Sequence, residues 1–290
     1  MQTLAFLKKL SAESGRDMSL VAQTLVRQAF LRRVFESAFA ERFACKGGSL
    51  VMLVEGLGPL GGRTTSDVDM VIPGFSGNLD DLRSILVQVL SGEQGDGVSF
   101  DLDSYRVTAE REAGTIGGGS VKVTALVAGQ KVGLKMDVTF DERTSRDELV
   151  ESDYPMLAGG TIRIRHVPLS HLAADKIQAM IRHGARNHRL RDHYDLYLMF
   201  KLGQVSLEDI ARALPASLAS FGLAMPEDVS GIPALSDLEA VRRNHAWEHE
   251  KVSRRFGVMT PSFEELNAYL RERVDIIIDY ARQPELGMRA

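Results

Sequence analysis

One cysteine, Cys45, stands in the whole 290-residue chain. An internal disulfide framework and a multi-cysteine zinc site are therefore excluded, and this thiol usage fits a reducing compartment. No apolar run approaches the roughly 20 residues needed to cross a bilayer. The opening stretch MQTLAFLKKLSAESGRD has no basic start followed by a long apolar segment, so the expectation is a cytoplasmic protein with no membrane contact. Strong charge of one sign is missing as well. A net charge of −4 argues against nucleic-acid binding through overall basicity and confines any such contact to a local patch. One stretch qualifies: Arg163, Arg165, Lys176, Arg182, Arg186, Arg189 and Arg191 are opposed there only by Asp175 and Asp192. Internal repeats and low-complexity tracts are absent, and the length suits one large domain or two modest lobes.

Hydrophobic spacing divides the chain into two regions. From about Met18 to Phe43, Leu20, Val21, Leu25, Ala29, Phe30, Val34 and Phe35 recur at helical intervals, with Asp17 or Ser19 as the cap. A short extended piece then meets Gly47 and Gly48, and a second helix is expected from Ser49. TTSDVDMVIPG reads as a strand and LDDLRSILVQVL as a helix, capped by Asn78 or Asp80 and stopped by Gly92. VSFDLDSYRVTAE, SVKVTALVA and KVGLKMDVTF read as strands, the last two joined by a Gly-Gln hairpin turn. EAGTIGGGS is expected to be a mobile loop. After Asp153 the pattern becomes helical, with Ser206, Ser236 and Ser262 as start signals. The expected architecture is α/β (α+β), with a mixed-sheet lobe over 1–160 and a helical lobe over 161–290.

Residues two apart on a strand share a face, so Asp67 and Asp69 present two carboxylates from one surface. Asp137, in LKMDVTF, has apolar neighbours on both sides, an expensive place for a charge unless it faces a site or a partner. If the two strands are neighbours, three carboxylates converge. Such a set suits Mg²⁺, which prefers oxygen ligands and bridges a few carboxylates to substrate phosphates; one or two ions are expected. Asp-x-Asp alone is equally a strand edge. Lys46-Gly47-Gly48-Ser49 adds to it, because glycines opening a helix let backbone N–H groups approach phosphate. The same tetrapeptide is otherwise a strand-to-helix turn capped by Ser49, and it lacks Walker-loop spacing. Arg63, in the glycine-rich PLGGRTTS, either reaches phosphate or decorates the loop. His245 and His249 have the spacing of a helical metal pair but sit among charges, as on a solvated face. Cys45 has no adjacent histidine base, and Trp247 is read as packing.

Four pieces in order, KGGSLVMLVEGL, SDVDMVI, LKMDVTF and PLSHLAADKIQAMIRH with RDHYDLYLMF, resemble the AbiEii-like nucleotidyltransferases, which include the MenT toxins of type IV-like toxin–antitoxin systems. The likeness covers most of Lys46 to Leu198. It implies a nucleotidyltransferase-fold lobe joined to a C-terminal helical lobe with the active site in the cleft between. It implies, too, that Ser49 and Lys176 contact the triphosphate, which joins them to the cradle Lys46, Gly47 and Gly48 as the expected nucleotide-binding set; Arg63, in a loop that departs from the family pattern, is added to that set from the residues alone. Asp67 and Asp69 would hold Mg²⁺, with Asp137 as base or third ligand. Lys176 would bind triphosphate or stabilise developing charge, and Asp192 or Asp195 would complete the site.

Taken without the resemblance, Lys176 is equally a solvated helix charge, and Asp192 and Asp195 could cap a helix or pair with Arg189 and Arg191. The implied reaction moves a nucleoside monophosphate, often a pyrimidine, from an NTP to the 3′ acceptor end of tRNA and so blocks aminoacylation. Arg182, Arg186, Arg189 and Arg191 would then track acceptor-stem phosphates. A cognate antitoxin is a further implied partner. Two other readings stay open: nucleotidylation of a protein hydroxyl or small molecule, and a noncatalytic module that binds a nucleotide or partner.

Overall fold

The computed structural model describes residues 2–54, 58–61, 63, 65, 67–73, 79–92, 94–110, 117–141, 144–186, 189–252 and 260–283. The chain divides into two compact units, Met1–Val167 and Pro168–Ala290.

In the first unit β1 (Ala44–Lys46), β2 (Asp67–Pro73), β3 (Val98–Glu110), β4 (Gly118–Val127), β5 (Gln130–Asp141), β6 (Val150–Pro155) and β7 (Thr161–His166) form one mixed sheet. Its order is β3-β4-β5-β2-β1-β7-β6. Helices α1 (Gln2–Ser14), α2 (Met18–Phe35), the short α3 (Gly58–Gly61) and α4 (Leu79–Leu90) belong to the same unit. Val68, Met70, Val121, Val123, Leu134, Met136 and Val138 are buried at alternate strand positions, the period-2 pattern of a sheet with one packed face. Contacts of α2 with β3, β4, β5 and β7, and of α4 with β3, supply the cover. The central helix α2 buries even Arg33, which donates to the Val98 carbonyl at 2.6 Å and meets Asp96 at 3.3 Å.

Several expectations are corrected. α2 ends at Phe35 instead of continuing to Phe43, because the Ser37 hydroxyl donates to the Val34 carbonyl and accepts from the Phe39 N–H; such a local side-chain bond competes with the helix ladder. Asp17 occupies the N-cap position, but its side chain makes no capping hydrogen bond. The segment after β1 is a 3-10 helix over Gly47–Leu53, tighter than the α-helix expected from Ser49. The β4–β5 turn is Ala128-Gly129, with φ of 51° and 81°, and Gln130 already belongs to β5. The chain does not turn helical after Asp153: β6 and β7 form an antiparallel hairpin that lies in the sheet. Residues 112–116 of the expected mobile loop and the Asn78 cap position lie outside the described residues, while Gly118–Ser120 are already β4.

The second unit holds α5 (Leu169–His183), α6 (Leu190–Lys201), α7 (Leu207–Ala219), α8 (Asp237–Val252) and α9 (Phe263–Arg282). α9 packs on α6, α7 and α8. Its start follows from chemistry at Ser262, whose hydroxyl accepts from the Glu265 N–H while the Glu265 carboxylate accepts from the Ser262 N–H; this reciprocal cap satisfies two otherwise unpaired donors. Leu266, Leu270, Val274, Ile277 and Ile278 then place a buried stripe on one side of α9. Ser206 caps α7 by accepting from the Asp209 N–H, and the Glu239 N–H donates to Ser236 ahead of α8. Trp247 is fully buried, its ring tilted against that of Phe263 with centroids 5.5 Å apart, and it donates to the Pro261 carbonyl. His245 and His249 are exposed.

Candidate active site

Strand register assembles the acidic part of the site. β2 and β5 are parallel neighbours with Asp67 opposite Lys135 and Asp69 opposite Asp137. Paired residues project to the same side, so Asp69 and Asp137 lie in adjoining positions and Asp67 stands one step along. β1 extends this row, placing Lys46 opposite Asp69, while β4 places Ser120 opposite Asp137. The row runs Lys46, Asp69, Asp137, Ser120 across four strands. It occupies the face opposite the helix-packed residues Val68, Met70, Met136 and Val138.

The glycine turn closes on the acids. Gly47 has φ +66°, and a Cβ there would overlap Asp69 Oδ2 and stand 2.6 Å from its Cγ. Only a residue without a side chain permits this approach. The Gly48 N–H points to Asp69 Oδ2 at 3.4 Å, and a Cβ on Gly48 would meet the Arg63 guanidinium, 3.2 Å from Cζ. Arg63 therefore lies against the cradle. Ser49 is fully buried and its hydroxyl donates to the Asp67 carbonyl at 3.3 Å, so it ties the 3-10 segment to the start of β2. The Lys46 ammonium reaches across the sheet face to the Thr139 hydroxyl.

Burial raises the Asp69 carboxyl above its usual range; nearby Lys46 opposes that shift, and Asp137 and Asp67 add to it as like charges. Asp69 thus senses both of the other carboxylates. They are not gathered into a closed cage, and among the described residues no group of three or more His, Cys, Asp or Glu forms a ready-made metal cluster. Lys135 stands in the same region, its ammonium donating to Asp137 Oδ2 at 2.6 Å. Asp137 Oδ1 is nevertheless buried without a hydrogen-bond partner. An orphaned carboxylate oxygen beside the weakly bonded Asp69 is a donor set that fits Mg²⁺, which binds through one or two carboxylates and completes its shell with water and phosphate oxygens.

A second constellation lies within the helical unit. Lys176, on α5, donates to Asp192 Oδ1 at 2.9 Å and Asp195 Oδ2 at 2.6 Å, both on α6. All three are buried, and Arg189 stands 2.9 Å from Asp192 Oδ2. The reading of Lys176 as a solvated charge is thereby removed. Asp192 and Asp195 share one lysine, as their i, i+3 spacing allows. Of the arginines expected to meet RNA, Arg182 stacks over Phe221 at 4.4 Å, Arg189 is committed to Asp192, and Arg191 is exposed. The Arg186 side chain lies outside the described residues. Reading the sequence missed Lys135 and Thr139, although their spacing of two from Asp137 was signal enough to put them on its face. Cys45 is fully buried, and burial pushes its thiol far up, out of reach of nucleophilic use.

Residues 29–269 match the family described as nucleotidyl transferase AbiEii toxin, Type IV TA system. The chain belongs to the AbiEii family. It is accordingly a nucleotidyltransferase, and the noncatalytic reading falls away. MenT4, a nucleotidyltransferase toxin from Mycobacterium tuberculosis, is 17% identical, with 96% of this chain and 99% of that one covered at a TM-score of 0.56. JHP933 from Helicobacter pylori is 12% identical over 90% of this chain and 93% of its own, with a TM-score of 0.51. At such identities both likenesses show the fold. No curated protein sequence matches this AbiEii chain. No helix among its described residues is long and apolar enough to cross a membrane.

Proposed function

We propose that this AbiEii protein transfers a nucleoside monophosphate, with a pyrimidine base, from an NTP to the 3′ end of tRNA in the cytoplasm and thereby blocks aminoacylation, a cognate antitoxin restraining it. The observation that carries the proposal is the in-register pair Asp69 and Asp137 with the Gly47-Gly48 turn closed upon it. In the transfer a bond forms between the acceptor 3′-oxygen and the α-phosphorus. The bond from that phosphorus to the bridging oxygen breaks, and pyrophosphate leaves. Asp137 takes the hydroxyl proton, its buried and unbonded Oδ1 being the accepting atom. Lys46, Arg63 and the Gly48 N–H hold triphosphate oxygens, the turn giving backbone access that a side chain would block. Asp67 and Asp69 would hold Mg²⁺, with Asp137 a third ligand only where another group takes the proton; the ion when bound neutralises phosphate charge and lowers the barrier to in-line displacement. By the resemblance alone Lys176 is assigned to triphosphate charge; within its own unit its ammonium is held by Asp192 and Asp195.

Incubating the purified protein with each labelled NTP, Mg²⁺ and total tRNA tests this. Label is expected in tRNA with CTP or UTP, and Asp67→Ala should lower it at least about a hundredfold. Normal labelling by that variant would remove the metal role. A mass increase of one nucleotide on the protein, with tRNA unlabelled, would instead make a protein hydroxyl the acceptor.

A further inference from the structure

The sheet face that carries the acids continues beyond them as a row of cations. Arg106 on β3 is opposite Lys122 on β4, Lys122 is opposite Lys135 on β5, and Lys135 is opposite Asp67. Adjacent strands lie about 5 Å apart, so three positive side chains span roughly 10 Å in a straight line that ends at the acids. Like charges directly opposite on neighbouring strands destabilise a sheet. Lys135 is compensated by Asp137, whereas Lys122 is exposed and has no ion-pair partner among the described residues. Arg106 donates to the Asp103 and Tyr105 carbonyls at 2.8 Å, so the fold uses only part of the charge in this row.

The same residues bound a groove of about 320 Å³ lined by Asp67, Ser104, Lys122, Thr124, Lys135 and the side-chain-free Gly133, among others. Its far wall is made by an irregularity in β3: the register shifts between Asp101 and Arg106, and the Ser104 hydroxyl accepts from the Thr124 N–H at 2.8 Å across the gap. Asp101, the nearby carboxylate, accepts from the Asp103 N–H inside the bulge. Bulges of this kind commonly border functional sites and re-aim side chains.

Direction decides what the groove receives. The glycine turn and Lys46 approach the acids from the β1 side, and the cationic row approaches from the β4 and β3 side. Attacking and leaving oxygens must lie roughly in line on opposite sides of the phosphorus. With the triphosphate on the β1 flank, the attacking strand enters from the other.

We infer that the groove lined by Lys122, with Arg106 beyond it, is the acceptor subsite, and that these two residues bind consecutive backbone phosphates of the RNA whose 3′ end is extended. This rests on the proposed RNA acceptor. It adds a phosphate-tracking surface on the sheet to the arginines expected at 182–191.

The test is binding of labelled tRNA without NTP, titrated between 0.05 and 0.3 M salt, roughly the range over which such contacts respond most, for the wild type and for Arg106→Gln/Lys122→Gln. Both residues are exposed, and an unchanged melting curve will verify folding. Loss of two phosphate contacts should weaken binding at least about tenfold and make the log–log salt slope shallower by about 1.5, with NTP affinity unchanged. An unaltered slope and affinity in the variant, while the wild type still labels tRNA, overturns this subsite and leaves the proposed reaction standing. Weakened NTP binding would also overturn it, since the groove would then serve the donor. A wild type that neither binds nor labels tRNA removes the RNA acceptor itself, and the subsite with it.

Discussion

Replacing Lys176 by alanine would leave two carboxylates inside the helical unit without the ammonium that now lies 2.9 Å from one and 2.6 Å from the other. Asp195 is fully buried and Asp192 nearly so. Removing one member of a buried ion pair typically destabilises by about 3–5 kcal/mol, because the stranded charge keeps its desolvation penalty. Arg189 offsets little of this, since its side chain is 62% exposed and exposed pairs contribute about 0–1 kcal/mol. At roughly 4 °C per kcal/mol for a unit of this size, the melting temperature should fall by about 12–20 °C. Lys176→Met combined with Asp195→Leu should recover much of the loss by removing one stranded acid. Thermal and urea unfolding measure both variants, and nucleotide transfer is then assayed well below the variant's transition. A Lys176→Ala loss under about 1 kcal/mol would refute the buried-network argument. Activity retained in the folded variant would separately remove Lys176 from triphosphate binding.

At the glycine turn, Gly47→Ala should cost about 1–2 kcal/mol for the left-handed backbone alone and abolish transfer by pushing the Asp69 carboxyl aside. Gly48→Ala meets only the flexible end of Arg63, so it should melt within about 1 kcal/mol of the wild type while weakening NTP binding; equal behaviour of the two variants would contradict the geometry. His193 is fully buried and its imidazole is pushed down to about 4, chiefly by desolvation and then by Arg243. The unfolded chain binds this proton near pH 6.5 and the folded chain near 4, so stability is full above about 6.5 and declines as pH falls toward 4, by an amount on the order of 3 kcal/mol. Urea midpoints across that window should flatten in His193→Phe, and an unchanged slope would reject the assignment.

Local pattern made most of this architecture legible. Helical spacing located α4, α5, α7 and α9, serine caps marked three helix starts, and alternation with Asp67 and Asp69 two apart identified β2. The β6–β7 hairpin was missed although Ile162 and Ile164 alternate and Gly159 and Gly160 mark its turn, because VESDYP carries little apolar signal and its pairing comes from the sheet. The end of α2 was overrun for a similar reason: a serine bonding back to the chain leaves no trace in hydrophobic spacing.

What the sequence determined by itself was the inventory, because the period of side-chain projection along a strand or helix is a local property of the backbone. It fixed which acids share a face and which glycines can open a turn. Tertiary structure decided the adjacencies. Only the parallel pairing of β2 with β5 sets Asp69 beside Asp137, and only helix packing turns Lys176 from a surface charge into the buried partner of two aspartates. Lys122 and Arg106 join Lys135 in one line solely through strand order. Contacts between residues far apart in the chain depend on register and packing, which no local periodicity encodes.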